Sequence, residues 1–330
     1  MNRKKFLQTL ILAASAQTVA PFASAQSASG YPNRPVRLIV QFAPGGFQDL
    51  VGRLLAQAIL PLWGQSLVIE NRPGGGGILA TELAAQAPPD GYTLYFVSDG
   101  PLVINPFVFK SLPYDPVNDL VPVAMLVSTT QVLVVNPTRV KARTLAEFIA
   151  EAKARPPSNP MTFGSSGVGG PHQLFMENLK VLAGINMTHI PYKGGLLSLQ
   201  AVLAGEIDSA FANHEKSVTL AKSGKVRAIA FGGLQRSDIA PELPTIAETF
   251  PGFQASPWAG VVAPKGTPQA ILEKLEADLL KVARDPQFIK QLFAVGGDPL
   301  PLSASEFRDR IRSDYQMYGK LIRGMNISLQ

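Results

Sequence analysis

Two stretches of this chain join a β-like run to a glycine turn and then to a helical pattern, and they constrain the fold more than anything else in it. The first is Val36-Arg37-Leu38-Ile39-Val40, followed by Phe42-Ala43-Pro44-Gly45-Gly46-Phe47-Gln48-Asp49. Apolar positions at helical spacing come next: Leu50, Val51, Leu54, Leu55, Ala58 and Ile59. The second, mid-chain, is Met161-Thr162-Phe163-Gly164-Ser165-Ser166-Gly167-Val168-Gly169-Gly170-Pro171-His172. Glycine lets backbone N–H groups come close to a ligand, and a helix start adds partial positive charge, so each turn suits an anion. One such unit in each half predicts two lobes holding one ligand between them.

Strand-like and helix-like segments alternate along the rest of the chain. Turn signals such as Asn71-Arg72-Pro73 and Pro88-Pro89-Asp90-Gly91 separate them. Thr144, with Glu147 three residues on, reads as a capping box, and Gly184 and Gly205 read as helix stops. The alternation predicts an α/β fold with a mainly parallel sheet flanked by helices in each lobe, and a ligand at the carboxyl ends of the strands. The β-rich run from Ala124 to Val135 is the candidate crossing between lobes, and Trp258 to Val262 the candidate return. The expected organisation is a first segment of lobe 1 at 31–131, lobe 2 at 132–253, and a return segment of lobe 1 at 254–330.

The first 25 residues read as an export signal: Arg3, Lys4 and Lys5, an apolar run from Phe6 to Ala14, and Ala23-Ser24-Ala25 before Gln26. That segment is too short for a membrane anchor. With it removed, the formal charge falls from +6 to about +3, and the remaining basic residues are scattered. No basic stripe with interleaved aromatics marks a nucleic-acid surface. The chain has no cysteine, which excludes disulfides, thiol catalysis and thiolate metal sites.

Enzyme motifs fail on spacing. A nucleophile elbow around Ser166 needs glycine where Val168 stands, and one around Ser165 needs glycine at Phe163. The glycine clusters match a dinucleotide fingerprint only in its loosest form, and no phosphate loop occurs. His172, His189 and His214 are far apart in sequence, without metal-ligand spacing. His172, just inside a helix start, is placed to meet an anion. His189 reads as core or lobe support, and His214, at a strand end, reads either as packing or as a cleft residue.

Ordered motifs spread over nearly the whole exported chain carry a family resemblance. They are Pro35-Val36-Arg37-Leu38-Ile39-Val40 with Phe42-Ala43-Pro44-Gly45-Gly46 and Asp49, then Glu70-Asn71-Arg72-Pro73-Gly74, Pro88-Pro89-Asp90-Gly91-Tyr92-Thr93-Leu94 and Ile104-Asn105-Pro106. Further on come Leu112-Pro113-Tyr114-Asp115-Pro116, Gly164-Ser165-Ser166-Gly167, Pro191-Tyr192-Lys193-Gly194, Leu243-Pro244-Thr245-Ile246-Ala247-Glu248 and Ala263-Pro264-Lys265-Gly266-Thr267-Pro268. The chain resembles the substrate-binding proteins of tripartite tricarboxylate transporters, the Bug (Bordetella uptake gene) type. The resemblance implies a periplasmic two-lobe binding protein that closes like a flytrap on a small carboxylate. It would deliver that ligand to a membrane permease with a large and a small subunit. It implies no cofactor, no metal and no nucleic acid, and a monomer is expected. The turn at Pro44-Gly45-Gly46 and the loop at Ser165-Ser166-Gly167 would grip carboxylates.

The expected site is therefore Pro44, Gly45, Gly46, Phe47, Gln48 and Asp49, with Ser98 and Asp99 after the third strand. Lobe 2 adds Ser165, Ser166, Gly167, His172, Tyr192 and Asn213. This chain departs from the family where hydroxyl residues commonly follow the two glycines, carrying Phe47-Gln48 instead, and where serines commonly follow Gly167. It also has Ser98-Asp99-Gly100 after the third strand and Ala212-Asn213-His214-Glu215 after the strand beyond Asp208. Fewer hydroxyls leave fewer donors for a second carboxylate. Phe47 either offers an apolar face to the ligand or covers the lobe edge, and Asp99 either faces the cleft or caps a helix. The expectation is a monocarboxylate, or a ligand with an aromatic or aliphatic body, in preference to citrate. Two other classes stay open: an exported hydrolase using Ser165 or Ser166, and a ligand sensor feeding a signalling partner.

Overall fold

The computed structural model describes residues 30–167, 170–192, 194–237 and 239–324. The export segment expected at residues 1–25, and Val168, Gly169 and Lys193 of the second glycine loop and its neighbour, lie outside them. Among the described residues no helix is long and apolar enough to cross a membrane.

The chain begins with β1 (Val36–Val40), α1 (Phe47–Trp63), β2 (Leu67–Asn71), α2 (Ile78–Ala85), β3 (Thr93–Ser98), the short α3 (Asn105–Val108) and β4 (Leu120–Ser128). A second group follows: β5 (Gln131–Val135), α4 (Leu145–Ala154), β6 (Met161–Ser165), α5 (Pro171–Ala183), β7 (Met187–Pro191), α6 (Gly195–Ala204), β8 (Ser209–Asn213), α7 (His214–Lys222) and β9 (Arg227–Phe231). The chain then returns with β10 (Trp258–Pro264), α8 (Gln269–Ala283), α9 (Pro286–Ala294), β11 (Asp298–Leu302) and α10 (Ala304–Gly324). Two sheets result, in strand orders β11-β4-β10-β3-β1-β2 and β7-β6-β8-β5-β9.

Each sheet is mixed. β2, β1 and β3 run parallel, as do β7, β6 and β8. The strands that lead into or out of the crossings pair antiparallel: β10 with β3 and β4, and β5 with β8 and β9. The β-rich run from Ala124 is thus two strands in two sheets, separated only by Thr129 and Thr130. The outgoing and returning crossings are bonded to each other. Thr129 N donates to Pro257 O at 2.8 Å, and Gln131 N donates to Ala255 O at 2.9 Å.

Register shows where this leaves the glycine turns. Ala259 pairs with Ser98, the last residue of β3, and Gln131 pairs with Asn213, the last residue of β8. The carboxyl edges of both parallel segments therefore adjoin the crossings, the place where ligands of α/β sheets bind.

Burial explains the element boundaries. β3 is apolar and buried from Thr93 to Val97, and β10 is buried along its whole length, the pattern of strands covered on both faces. α4 begins at Thr144, whose hydroxyl accepts from Glu147 N at 3.2 Å, while the Glu147 carboxylate takes Arg143 N at 2.7 Å, one residue before the cap. α5 and α6 stop at Gly184 and Gly205, as their sequences predict. The helix α9 and the edge strand β11 are not among the elements read from the sequence. The pattern Asp298-Pro299-Leu300-Pro301-Leu302 reads against a strand, and its prolines are tolerated because β11 has only β4 beside it.

Gly260 sits mid-β10, where a Cβ would lie 2.6 Å from the Phe307 ring and 2.7 Å from the carbonyl of Ala124 on β4. A strand backbone cannot give way there, so Gly260→Ala is expected to destabilise the fold by ~1–3 kcal/mol. Urea unfolding should show a lower midpoint at unchanged slope; an unmoved midpoint would refute this packing.

Candidate ligand site

In lobe 1 the chain leaves β1 through Gln41 and turns at 42–46 into α1. Gly45 has φ +80°, a conformation other residues adopt only with strain. Gly46 N donates to Ala43 O at 3.1 Å, which tightens the turn. Gly46 is the N-cap of α1 and supplies no capping side chain, so nothing in the turn's own sequence caps the first helix amides. Pro44 is exposed at the tip.

Asp49 organises this turn. Its Oδ2 accepts from Gly45 N at 2.9 Å and Arg53 Nε at 3.0 Å, and its Oδ1 accepts from a second Arg53 nitrogen and from Asn71 Nδ2, both at 3.0 Å. The Arg53 guanidinium holds the Asp49 carboxyl below the usual carboxylate range, and the Gly45 and Asn71 donors act the same way against the opposing effect of burial. The carboxylate is thus fully committed and neutralised, and it shapes the loop from behind.

Gln48 is 3 % exposed, and its Oε1 has no hydrogen-bond partner among the described residues. It precedes Gly52 by one turn, and a Cβ on Gly52 would meet Ile69 and Val40. Gln48 therefore projects over the carboxyl edge of β1 and β2. Phe47 is only partly buried; its ring tip would lie 3.0 Å from a Cβ on Gly297, beside Leu292 and Val127, so it packs on the lobe edge near the crossing.

Ser98 ends β3 in a network that sequence reasoning missed. Gln41, 5 % exposed, accepts from Tyr95 Oη at 2.5 Å and Ser98 N at 3.3 Å and donates through Nε2 to Ser98 Oγ at 2.9 Å. The legible signal was a polar residue directly after a buried apolar strand. Gln41 also explains Gly77, where a Cβ would lie 2.9 Å from its amide nitrogen.

Asp99 turns the other way. Its Oδ1 accepts from Gly100 N at 2.9 Å, and the side chain is buried where Asp314, Tyr318 and Arg310 of α10 act on it. Burial pushes its carboxyl up to about 7; the Asp314 charge adds to this, while the Gly100 N–H and Arg310 oppose it. It caps the π-type turn at Gly100–Ile104 inside lobe 1.

In lobe 2, Ser165 is fully buried. Its Oγ donates to Gly167 O at 2.9 Å, accepts from Gly167 N at 3.1 Å and meets His189 Nε2 at 2.6 Å, so every position on the hydroxyl is used. Ser166 is partly exposed, and its Oγ lies 2.8 Å from His172 Nδ1. His172 Nε2 lies 3.2 Å from Gln131 Oε1, at the first residue of β5. Burial pushes the His172 imidazole down to about 4, so the ring is neutral near pH 7. Tyr192 N donates to Ser165 O at 3.1 Å, while its ring packs with Ile190 and the core under α6.

Asn213 is a link between lobes. Its Oδ1 caps α7 through Glu215 N at 3.2 Å, and its Nδ2 donates to Gly296 O at 2.7 Å. Beside it, buried His214 reaches Asp298 Oδ1 at 3.4 Å, and Asp298 Oδ2 accepts from Thr130 N at 3.1 Å. Glu215 is exposed. The structure thus groups the turn 44–46 with Gln48 and Ser98 on one edge, and Ser166, Gly167 and His172 on the other. The side chains of Asp49, Asp99, Ser165 and Asn213 serve the protein's own backbone.

A family model described as "Tripartite tricarboxylate transporter family receptor" matches residues 51–327. The chain belongs to this receptor family. It is 33 % identical to Protein BugT of Bordetella pertussis over the whole length of both chains. Among solved structures, R. palustris Rpa4515 with adipate superposes with a TM-score of 0.78 at 29 % identity, over 91 % of this chain and all of that one. MatC of Rhodopseudomonas palustris with bound malate superposes with a TM-score of 0.73 at 28 % identity, over 88 % of this chain and all of that one. The two-lobe receptor fold is shared with these carboxylate-bound structures.

The raised Asp99 carboxyl has a stability consequence. A carboxyl whose folded pKa lies above its unfolded value is stabilising protonated and costs stability once ionised, so its effect grows unfavourable from about pH 4 to about 7. Asp99→Asn should therefore match the parent protein near pH 4 and surpass it at pH 8 in urea unfolding. A difference independent of pH would contradict this account.

Proposed function

We propose that this receptor works in the periplasm, captures a small organic carboxylate between its lobes and passes it to a two-subunit membrane permease. The observation that carries the reading is the start of α1: a glycine N-cap without a capping side chain, held open by Asp49 through Gly45, at the sheet edge beside the crossings. Helix-start amides in that setting bind carboxylates. Membership of the receptor family, and the adipate and malate bound to similar structures, support it.

The site favours a monocarboxylate, aromatic or aliphatic, over citrate. The groups described on the two edges are amides and hydroxyls, and Arg53 is spent on Asp49. Neutral donors satisfy one carboxylate; three would bring charge that these groups compensate poorly on burial.

One observation favours a second reading. Ser166 Oγ, 2.8 Å from His172 Nδ1, has the spacing of a nucleophile and its base. Two facts weigh against it: the imidazole is pushed down to about 4, and its other nitrogen faces an amide instead of a carboxylate. Such a ring holds a proton poorly at neutral pH. A fluorophosphonate probe is expected to leave Ser166 and Ser165 unlabelled, and stoichiometric labelling of either would revive the hydrolase.

Thermal and chemical unfolding with benzoate, adipate, malate and citrate tests the receptor reading. A ligand at a hundred times its Kd should stabilise by ~2.7 kcal/mol. Tight citrate binding with no response to any monocarboxylate would overturn the preference, and silence across a wide panel of acids would overturn the function.

A further inference from the structure

The hydroxyl of Ser166 has its polarity set by a chain of hydrogen bonds that starts outside the ligand site. Thr129 O is a carbonyl and can only accept, so the Gln131 atom 2.5 Å from it is the amide nitrogen. The other end of that amide is then the oxygen, and it faces His172 Nε2 at 3.2 Å. An oxygen lone pair there requires Nε2 to carry the proton. His172 is a neutral ring, so Nδ1 is bare and acts as the acceptor. Nδ1 lies 2.8 Å from Ser166 Oγ, and the hydroxyl proton of Ser166 is therefore donated to it. What Ser166 has left is lone pairs.

Ser98, on the facing edge, has the opposite polarity. Ser98 N can only donate, which makes the nearer Gln41 atom the oxygen and turns the Gln41 NH₂ onto Ser98 Oγ at 2.9 Å. Ser98 accepts that bond and keeps its own proton to give away.

We propose that Ser166 offers only acceptor lone pairs to the ligand, so that the protein selects a carboxylate carrying a hydroxyl or ammonium donor over the same acid without one. The inference rests on the carboxylate-receptor reading and narrows it: the carboxylate goes to α1 and Ser98, the donor group to Ser166. A plain carboxylate oxygen set against Ser166 would meet lone pair with lone pair, an unsatisfied contact of the kind that makes polar sites reject analogues.

Isothermal titration of the purified protein with matched acids tests it: lactate against propionate, malate against succinate, mandelate against phenylacetate. In the pairs that bind, the hydroxylated acid should bind about tenfold or more tightly. Ser166→Ala should close the gap within a pair. Gln131→Leu removes the acceptor that holds the proton on Nε2 and frees the ring to protonate Nδ1, which would let Ser166 donate, so the plain acid should gain on its partner. Equal affinities within pairs, or a gap that survives Ser166→Ala, overturn the proposal. If none of these acids binds, the receptor reading fails, and the proton order is judged without ligand. Nitrogen-15 spectra of histidine-labelled protein should show His172 protonated at Nε2 and bare at Nδ1, and the reverse tautomer overturns the proposal.

Discussion

The paired crossing at Thr129–Gln131 and Ala255–Pro257 is the constraint on which the rest depends. Two backbone bonds knit it, and Gly232 N, just past β9, donates to Gln131 O at 2.7 Å beside them. Because the chain passes outward and back side by side, β4 and β10 must run antiparallel; β5 also pairs antiparallel with β8. That turns sheets built on parallel β-α units into mixed ones. It also sets the two carboxyl edges beside the same short connections. Ser256 Oγ, donating to Thr130 Oγ1 at 3.0 Å, adds a side-chain bond between the crossings, and Asp298 of β11, accepting from Thr130 N, braces them from the first lobe.

Two buried acids shape backbone. Asp49 and Arg53 hold the first glycine turn. Asp208, just before β8, ties strand starts instead: its Oδ2 accepts from Thr162 N at 2.7 Å in β6, and Arg139 Nε binds its Oδ1 at 2.9 Å. Each of the two acids carries its own arginine.

Much of this was legible in the sequence. The glycine turns, the alternation of strand and helix, the stops at Gly184 and Gly205 and the run across the lobes follow from local chemistry, and the receptor family follows from ordered motifs. The side chains resisted. Position at the correct sheet edge makes Asn213 a site candidate and leaves Asp99 open between cleft and helix cap. Asn213 instead meets Gly296, and Asp99 the helix α10, partners from a return segment that pattern reading places only coarsely. β11 was hidden by its prolines, which rule out most strands but not one at a sheet edge. Gln41 left one signal, a polar residue directly after a buried strand, but its partner Ser98 and the partner of Gln131, His172, lie far along the chain.

Those two glutamines show why the two lobes are not equivalent. An amide is the one neutral side chain with a donor and an acceptor fixed at opposite corners, so anchoring one corner on backbone dictates what the other corner asks of its neighbour. Gln131 is anchored by a carbonyl and therefore consumes a proton further along, leaving Ser166 as an acceptor. Gln41 is anchored by a backbone N–H and therefore supplies one, leaving Ser98 as a donor. Two serines at matching strand ends thus differ in polarity because of the backbone atom behind each, and a ligand spanning them is read for direction as well as for charge.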